Sequence, residues 1–210
     1  ETARVISRLT ESNQAHLFTL LSPEDAADII EDIPETQAAD LVEEMSSEQA
    51  AAILEELPSD HLADVLGEMD DTASRAVLAK MDREDANEAR MFLEYAKDCA
   101  GGLMVSEYLS YKTDDTIQDV FDDLQTHQEE YRDYHILYFY VVDRDERLVG
   151  VLRMHDLLFP SKNTALSQIM IDSPLSIPHK SSLRELENFF DERHLFGVPA
   201  VDDQGRMVGV

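Results

Sequence analysis

Apolar residues recur every twelve positions along the first half of the chain: Leu9, Leu21, Ile33, Met45, Leu57, Met69, Met81 and Leu93. All but the last are followed by a polar residue or a proline: Thr10, Ser22, Pro34, Ser46, Pro58, Asp70 and Asp82. Eight positions after each anchor stands another apolar side chain: Leu17, Ile29, Leu41, Ile53, Val65, Val77 and Ala89. Serine is a good N-cap, proline suits the first turn, and an early Glu or Asp suits the helix dipole. Ala, Leu and Ile at three- and four-residue spacing then make one apolar stripe. The pattern predicts about eight or nine helical residues per unit, followed by a tight turn. Helices that short do not hold alone, so the units must stack into a solenoid-like superhelix from Leu9 to about residue 93.

The period changes after Gly101-Gly102, a natural break. Residues 108–112 read as a strand. A helix is expected from about 115 to 126, with Ile117, Val120, Phe121 and Leu124 on one face. A strongly apolar strand over 136–142, a turn over 143–147, a strand over 148–153 and a short helix at 155–159 follow. The order then repeats. Leu103-Met104 matches Ile169-Met170 at an offset of 66, as Ile117, Val120 and Leu124 match Leu183, Leu186 and Phe190. Val142-Asp143 and Val149-Gly150-Val151 match Val201-Asp202 and Val208-Gly209-Val210 at an offset of 59. The first copy therefore carries about seven extra residues near 126–135. The expected organisation is an acidic helical-repeat domain over 1–98 and a tandem α/β module over 99–210. Its copies lie at about 103–160 and 166–210, the second without its closing strand and helix. The chain opens without Met and stops inside an apolar run, so it reads as a fragment of something longer.

Charge changes the picture more than composition does. The apolar content of 43% is ordinary, but 45 Asp plus Glu face 17 Lys plus Arg, a net charge of −28. That balance argues against nucleic acid and anionic membrane surfaces, which select basic patches. It favours cations or basic partners. No run approaches the length of a membrane span. One cysteine, Cys99, cannot form an internal disulfide, and only Lys97 is near it to activate a thiolate. The seven histidines are scattered, and HExxH, CxxC, GxSxG and P-loop patterns are absent. An enzyme is not expected.

The acids are concentrated where cations are not. Between Arg8 and Arg75 there is no Lys or Arg, while the stretch from Glu11 to Asp71 supplies 18 carboxylates. Neighbouring like charges destabilise helices slightly, so a segment that tolerates them is expected to meet cations. Asp28, Asp40 and Asp64 hold the same repeat position, with Ala52 interrupting the row, and Asp60 lies one turn before Asp64. Oxygen-only ligands suit Mg²⁺ or Ca²⁺ rather than zinc, and Mg²⁺ keeps most of its waters and needs one or two carboxylates.

The order strand–helix–strand–turn–strand–helix, with V-V-D-x-x-x-x-L-V-G-V at 141–151, resembles the cystathionine-β-synthase (CBS) domain, here as a pair. Acidic helical repeats, then Y-x-x-D-x-AGGLM-x-x-E-Y at 95–108, then the CBS pair, resemble the cytosolic region of MgtE-type magnesium transporters. That resemblance implies an α plus α/β architecture, a superhelix of short helices followed by a tandem CBS pair. It implies a homodimer formed through the CBS domains on the cytoplasmic side of the inner membrane, continuing into a multi-pass membrane domain. It also implies a role as a Mg²⁺ sensor, with Mg²⁺ bridging the acidic N and CBS faces to close the pore. The family's N-domain metal acids fall on Asp28, Asp60 and Asp64. On the second CBS helix Ser182 and Arg184 replace expected acids, His194 stands near its end, and Asp191 and Glu192 are the substitutes. The family also binds ATP, which would use Asp156 for the ribose and Tyr138 for the base. Leu175 and Leu195, where more nucleotide-suited residues are expected, weigh against it. The rival readings are a soluble CBS regulator that binds adenine nucleotides, and a helical scaffold for a basic protein.

Overall fold

The computed structural model describes residues 17–132, 134, 136–193 and 195–210. The first anchor, Leu9, and His194 lie outside them. The chain divides into two compact units, the first running to Ala96 and the second spanning Lys97–Val210.

The twelve-residue repeat becomes a row of short helices: α1 Pro23–Glu31, α2 Glu35–Glu43, α3 Ser47–Leu54, α4 Ser59–Glu68, α5 Asp71–Leu78 and α6 Arg83–Leu93. Each starts where the repeat places it. Ser22 and Ser46 accept hydrogen bonds from the backbone N–H of Asp25 and Gln49, and Asp70 and Asp82 do the same for Thr72 and Glu84. Pro34 and Pro58 hold the equivalent positions with no side-chain cap, which leaves α2 and α4 to rely on packing. Stacking runs mainly to the next helix but one: α1 on α3 on α5, and α2 on α4 on α6. The structural period is thus two sequence repeats. Paired alanines make close approach possible, with Ala26, Ala27, Ala38, Ala39, Ala50 and Ala51 all buried beside Ile30, Val42, Leu54 and Leu66.

The second unit opens with the short helix α7 Ala100–Leu103. It continues with β1 Leu109–Lys112, α8 Ile117–Thr126, β2 Tyr138–Val142, β3 Leu148–Arg153 and a 3₁₀ turn at Met154–Leu157. A second 3₁₀ turn, Leu166–Gln168, leads to β4 Ile171–Asp172, β5 Ile177–Pro178, α9 Leu183–Arg193, β6 Ala200–Val201 and β7 Met207–Gly209. The expected helix at 155–159 is therefore a 3₁₀ turn that starts one residue earlier. The expected start of α8 at 115 moves to 117 because Thr116 and Asp119 form a capping box. Ser182 and Glu185 make the same reciprocal contacts at the equivalent place in the second copy.

Two mixed sheets result, β1-β2-β3-β4 and β5-β6-β7, in which β1 is parallel to β2 and β5 to β6. The first has a core of Phe139, Val141 and Leu152 against Ile117, Val120, Leu157 and Leu166. The copies exchange their leading segments. Ile171 and Asp172, which lead into copy 2, pair with Val151 and Gly150 of copy 1. Val105, which leads into copy 1, exchanges two 2.9 Å backbone hydrogen bonds with Val210 of copy 2. Each exchange places a methionine on a glycine, Met170 on Gly150 and Met104 on Gly209, where a Cβ would collide with the methionine side chain. Arg147 and Arg206, which hold equivalent places in the two copies, bridge to one another.

The extra residues of copy 1 are held by one carboxylate on α8. Asp123 accepts from Tyr111 Oη at 2.7 Å and Tyr131 Oη at 3.4 Å, with His127 Nδ1 at 2.9 Å. At the matching positions of copy 2, Tyr111 and Asp123 are replaced by Ile177 and Phe189, which fits the absence of such a turn there.

The β2–β3 and β6–β7 turns have the same construction. Asp143 Oδ1 accepts from the N–H of Asp145 and Arg147, and Asp202 Oδ1 from that of Gln204 and Arg206. The fourth turn residue has φ of +62° at Glu146 and +78° at Gly205. Only the second is the residue that adopts this region without strain. Nothing lies within 4 Å of a Cβ built on Gly205, so Gly205→Ala isolates the backbone effect. It is expected to cost about 1 kcal/mol, and Glu146→Gly to gain a similar or smaller amount, read from urea midpoints.

Candidate cation and nucleotide sites

Asp28 lies on α1 and Asp40 on α2, both exposed, while Asp60 and Asp64 are half-buried one turn apart on α4. Asp28 therefore belongs to the odd row of helices, and Asp40, Asp60 and Asp64 to the even row. Asp60 Oδ1 accepts the backbone N–H of His61 at 2.8 Å, which leaves its second oxygen for another partner. Among the described residues no group of three or more His, Cys, Asp or Glu side chains is placed to enclose a metal ion. Paired and single surface carboxylates suit a hydrated Mg²⁺, which is content with one or two of them, far better than a dehydrated cation.

The packing also shows where some of the surplus acid goes. Glu43 Oε1 accepts the backbone N–H of Asp70, and Glu55 Oε1 that of Asp82, each 27 residues on. These N–H groups stand at the starts of α5 and α6, where donors lack intrahelical partners and the helix dipole favours an anion. Glu48 pairs with Lys80 Nζ at 2.6 Å. Sequence reading treats these acids as unopposed charge. The signal that could have found them is a Glu at the end of one repeat, recurring at a constant distance before a helix-opening Asp.

Crowding remains at the start of α6. Burial raises the Asp85 carboxyl above its ordinary value, and the nearby Glu55, Asp82 and Glu84 raise it further.

On α9, Asp191 and Glu192 are exposed in the last turn, where the helix dipole disfavours anions. Glu192 is paired with Arg193 Nη1 at 2.9 Å, and the Arg193 guanidinium lies 4.3 Å from the centre of the Phe189 ring. Asp191 is thus the better placed of the two to meet a cation from solution.

Tyr138 opens β2, half-buried, with its ring 6.4 Å from that of Tyr140. The antiparallel register places it opposite Arg153 on β3. Asp156 sits in the 3₁₀ turn that follows, and its carboxylate accepts from Arg153 N at 2.9 Å, Nε at 3.0 Å and Nη2 at 3.2 Å. His155 Nε2 is 2.9 Å from the other side of the same carboxylate. Burial acts to raise the Asp156 pKa, but the hydrogen bonds and charge of Arg153 outweigh it and hold the group below its ordinary value. The structure thus brings Tyr138 and Asp156 to one arginine that sequence reading does not single out. A polyhydroxylated ligand there would meet an ionised acceptor and a guanidinium donor. It would have to share the carboxylate with both. Leu175 is exposed and Leu195 half-buried, consistent with an apolar rather than polar rim. Cys99 is half-buried with a free thiol at the start of α7. Among the described residues no helix is long and apolar enough to cross a membrane.

Comparison with known proteins places these features. Residues 1–98 match the family model of the MgtE intracellular N domain, and residues 99–160 and 166–210 match that of the CBS domain. The magnesium transporter MgtE of Thermus thermophilus is 29% identical over 130 residues, covering 62% of this chain and 28% of that protein. The chain therefore spans well under half the length of this curated relative. The crystal structure of the soluble part of a magnesium transporter superposes with a TM-score of 0.86 at 25% identity, covering 99% of this chain and 81% of that one. The cytosolic domain of the Mg²⁺ channel MgtE, crystallised with ATP, superposes with a TM-score of 0.70 at 27% identity, covering 99% and 89%.

One pH effect follows from the crowding on α6. A carboxyl raised by folding binds its proton more tightly in the folded state. Its favourable contribution is present at pH below the unfolded carboxyl value and is lost as pH rises through the folded one. Asp85→Asn is therefore expected to raise the urea midpoint of the first unit at pH 7, with the gain vanishing towards pH 3. A midpoint unchanged at pH 7 would contradict the crowding.

Proposed function

The chain belongs to the MgtE family, carrying its intracellular N domain and its CBS domains, and from that premise we propose that it is the Mg²⁺-sensing and gating region of a magnesium transporter or channel. The observation that carries this reading is the unequal charge on the two domains the family pairs. Residues 1–98 hold 25 acids against 7 bases, and residues 99–210 hold 20 against 10. Two bodies so charged repel when divalent cations are scarce. A hydrated Mg²⁺ that meets Asp60 and Asp64 of the first unit and Asp191 of the second cancels charge only when the two are together. Binding then has a differential free energy between apart and together, which is what shifts a population. Asp28 and Glu192 supply further charge to the same faces. The together state closes the pore of the membrane domain that accompanies this region in the family, so the transported ion limits its own uptake. The working unit is a homodimer joined through its CBS domains on the cytoplasmic side of the membrane. Its role is gating rather than catalysis, and the chain's acidity leaves no surface for nucleic acid.

ATP is a second ligand of the same region. The convergence of Tyr138, Arg153 and an ionised Asp156 favours it: the ring stacks on the base, the carboxylate takes the ribose hydroxyls and the guanidinium lies towards the phosphates. In that arrangement the nucleotide tunes the sensor rather than replacing Mg²⁺.

Limited proteolysis of the purified chain tests the sensor at constant ionic strength. Millimolar MgCl₂ is expected to slow cleavage of the 95–98 connection. The double substitution Asp60→Asn, Asp64→Asn is expected to raise the protecting Mg²⁺ concentration about tenfold, ~1.4 kcal/mol of coupling. Identical digestion with and without Mg²⁺ would remove the reading. For the nucleotide, Asp156→Ala is expected to weaken ATP binding by about tenfold or more in calorimetry while leaving the Mg²⁺ midpoint in place. Equal ATP affinity in both proteins would exclude that site.

A further inference from the structure

The connection between the two units is fastened to a part of the fold that the sequence order does not suggest. The chain leaves the first unit at Ala96 and next builds copy 1 of the CBS pair. Yet the segment from Asp98 to Val105 makes its long-range backbone hydrogen bonds to copy 2. Ala100 N–H donates to Ser181 O at 2.8 Å, and Gly101 N–H to His179 O at 2.7 Å. Leu183 N–H, at the start of α9, donates back to Asp98 O at 2.9 Å. Cys99 and Ser182 form a bridge between these bonds. Val105 then exchanges two 2.9 Å bonds with Val210, and Met104, 2% exposed, packs on Gly209. All of these partners lie in 179–183 or 209–210, beyond the whole of copy 1 in the chain.

We propose that copy 2 is the mount of the first unit: a displacement of copy 2 moves the segment that carries the first unit, while copy 1 acts on that segment only through copy 2. Five backbone hydrogen bonds within this short stretch leave it little freedom of its own, since each fixes a donor and an acceptor that would otherwise face water. Only Lys97 separates the last residue of the first unit from this fastened stretch. Flexible slack that would absorb a displacement is therefore missing. The mount also reaches the first residue of α9, whose last turn carries Asp191 and Glu192. One helix thus joins the fastening point to the two acids that the metal reading assigns to copy 2. The mount itself stands whether or not those acids bind metal.

The internal symmetry of the pair supplies the test. Gly209→Ala pushes Met104 off copy 2, and Gly150→Ala pushes Met170 off copy 1, two equivalent insults of which only one touches the mount. Amide exchange of the whole chain, followed by NMR without Mg²⁺, reads each site. Gly209→Ala is expected to speed exchange at Ala100, Gly101 and Val105 by about tenfold, and Gly150→Ala to change them less than about twofold. Equal acceleration by the two substitutions, or none by Gly209→Ala, overturns the proposal. The unaltered protein gives a second reading should either variant fail to fold. With rising sub-denaturing urea, the amides of Ala100, Gly101 and Val105 are expected to open together with Leu183 and Val210 of copy 2. Opening together with Val141 and Leu152 of copy 1 instead, or one common opening of the entire second unit, overturns the mount as well.

Discussion

Repulsion between carboxylates that have too few cations to meet is the constraint on which the rest of the structure depends. Stacked short helices need polar outer faces, and most proteins supply them with both signs of charge. Here the stretch from Glu11 to Asp71 supplies only one. The fold answers part of the excess internally. Glu43 and Glu55 lie on the open N–H groups of helices further along the row, Asp70 and Asp82 cap those same helices, and Glu48 takes Lys80. What remains at the surface, with Asp28, Asp40 and Asp60 among it, is the part that solution cations must answer. Magnesium suits that remainder because it binds through its own water shell and requires no enclosing cage.

The architecture was legible in the sequence to the extent that it is periodic. The twelve-residue anchors marked every described helix start of the first unit, because each start needs the same residue types for capping and the same stripe for packing. The sequence could not show that α1 stacks on α3 rather than on α2. A twelve-residue period fixes where a helix begins, but the angle of each turn decides which neighbour it meets. The two offsets, 66 and 59, located the CBS copies and the extra loop of copy 1. They did not announce that Met104 crosses to Gly209 and Met170 to Gly150, since an exchange between two like sheets leaves the same pattern as no exchange at all.

Sites were less legible than the fold, for a physical reason. A tight metal centre imposes ligand spacing, whereas a hydrated ion on an acidic face imposes only charge, and charge is spread over dozens of positions. Asp60 and Asp64 could be paired by helical spacing alone. Asp28 and Asp191 could be named only through family resemblance, and the second unit's Arg193 takes up Glu192 in a way no spacing reveals. Tyr138 and Asp156 were both visible, but not the arginine between them. Arg153 joins them through strand register and the 3₁₀ turn that follows, two features that exist only once β2 and β3 have paired.

Function in this account is a balance: two anionic bodies on one chain, held apart by charge and drawn together by a divalent ion. Small-angle X-ray scattering of the chain across a magnesium titration, matched at each point by sodium of equal ionic strength, tests that balance most directly. The account predicts a fall in radius of gyration with magnesium that sodium does not reproduce. A radius that stays constant in magnesium, or that sodium lowers equally, would contradict it.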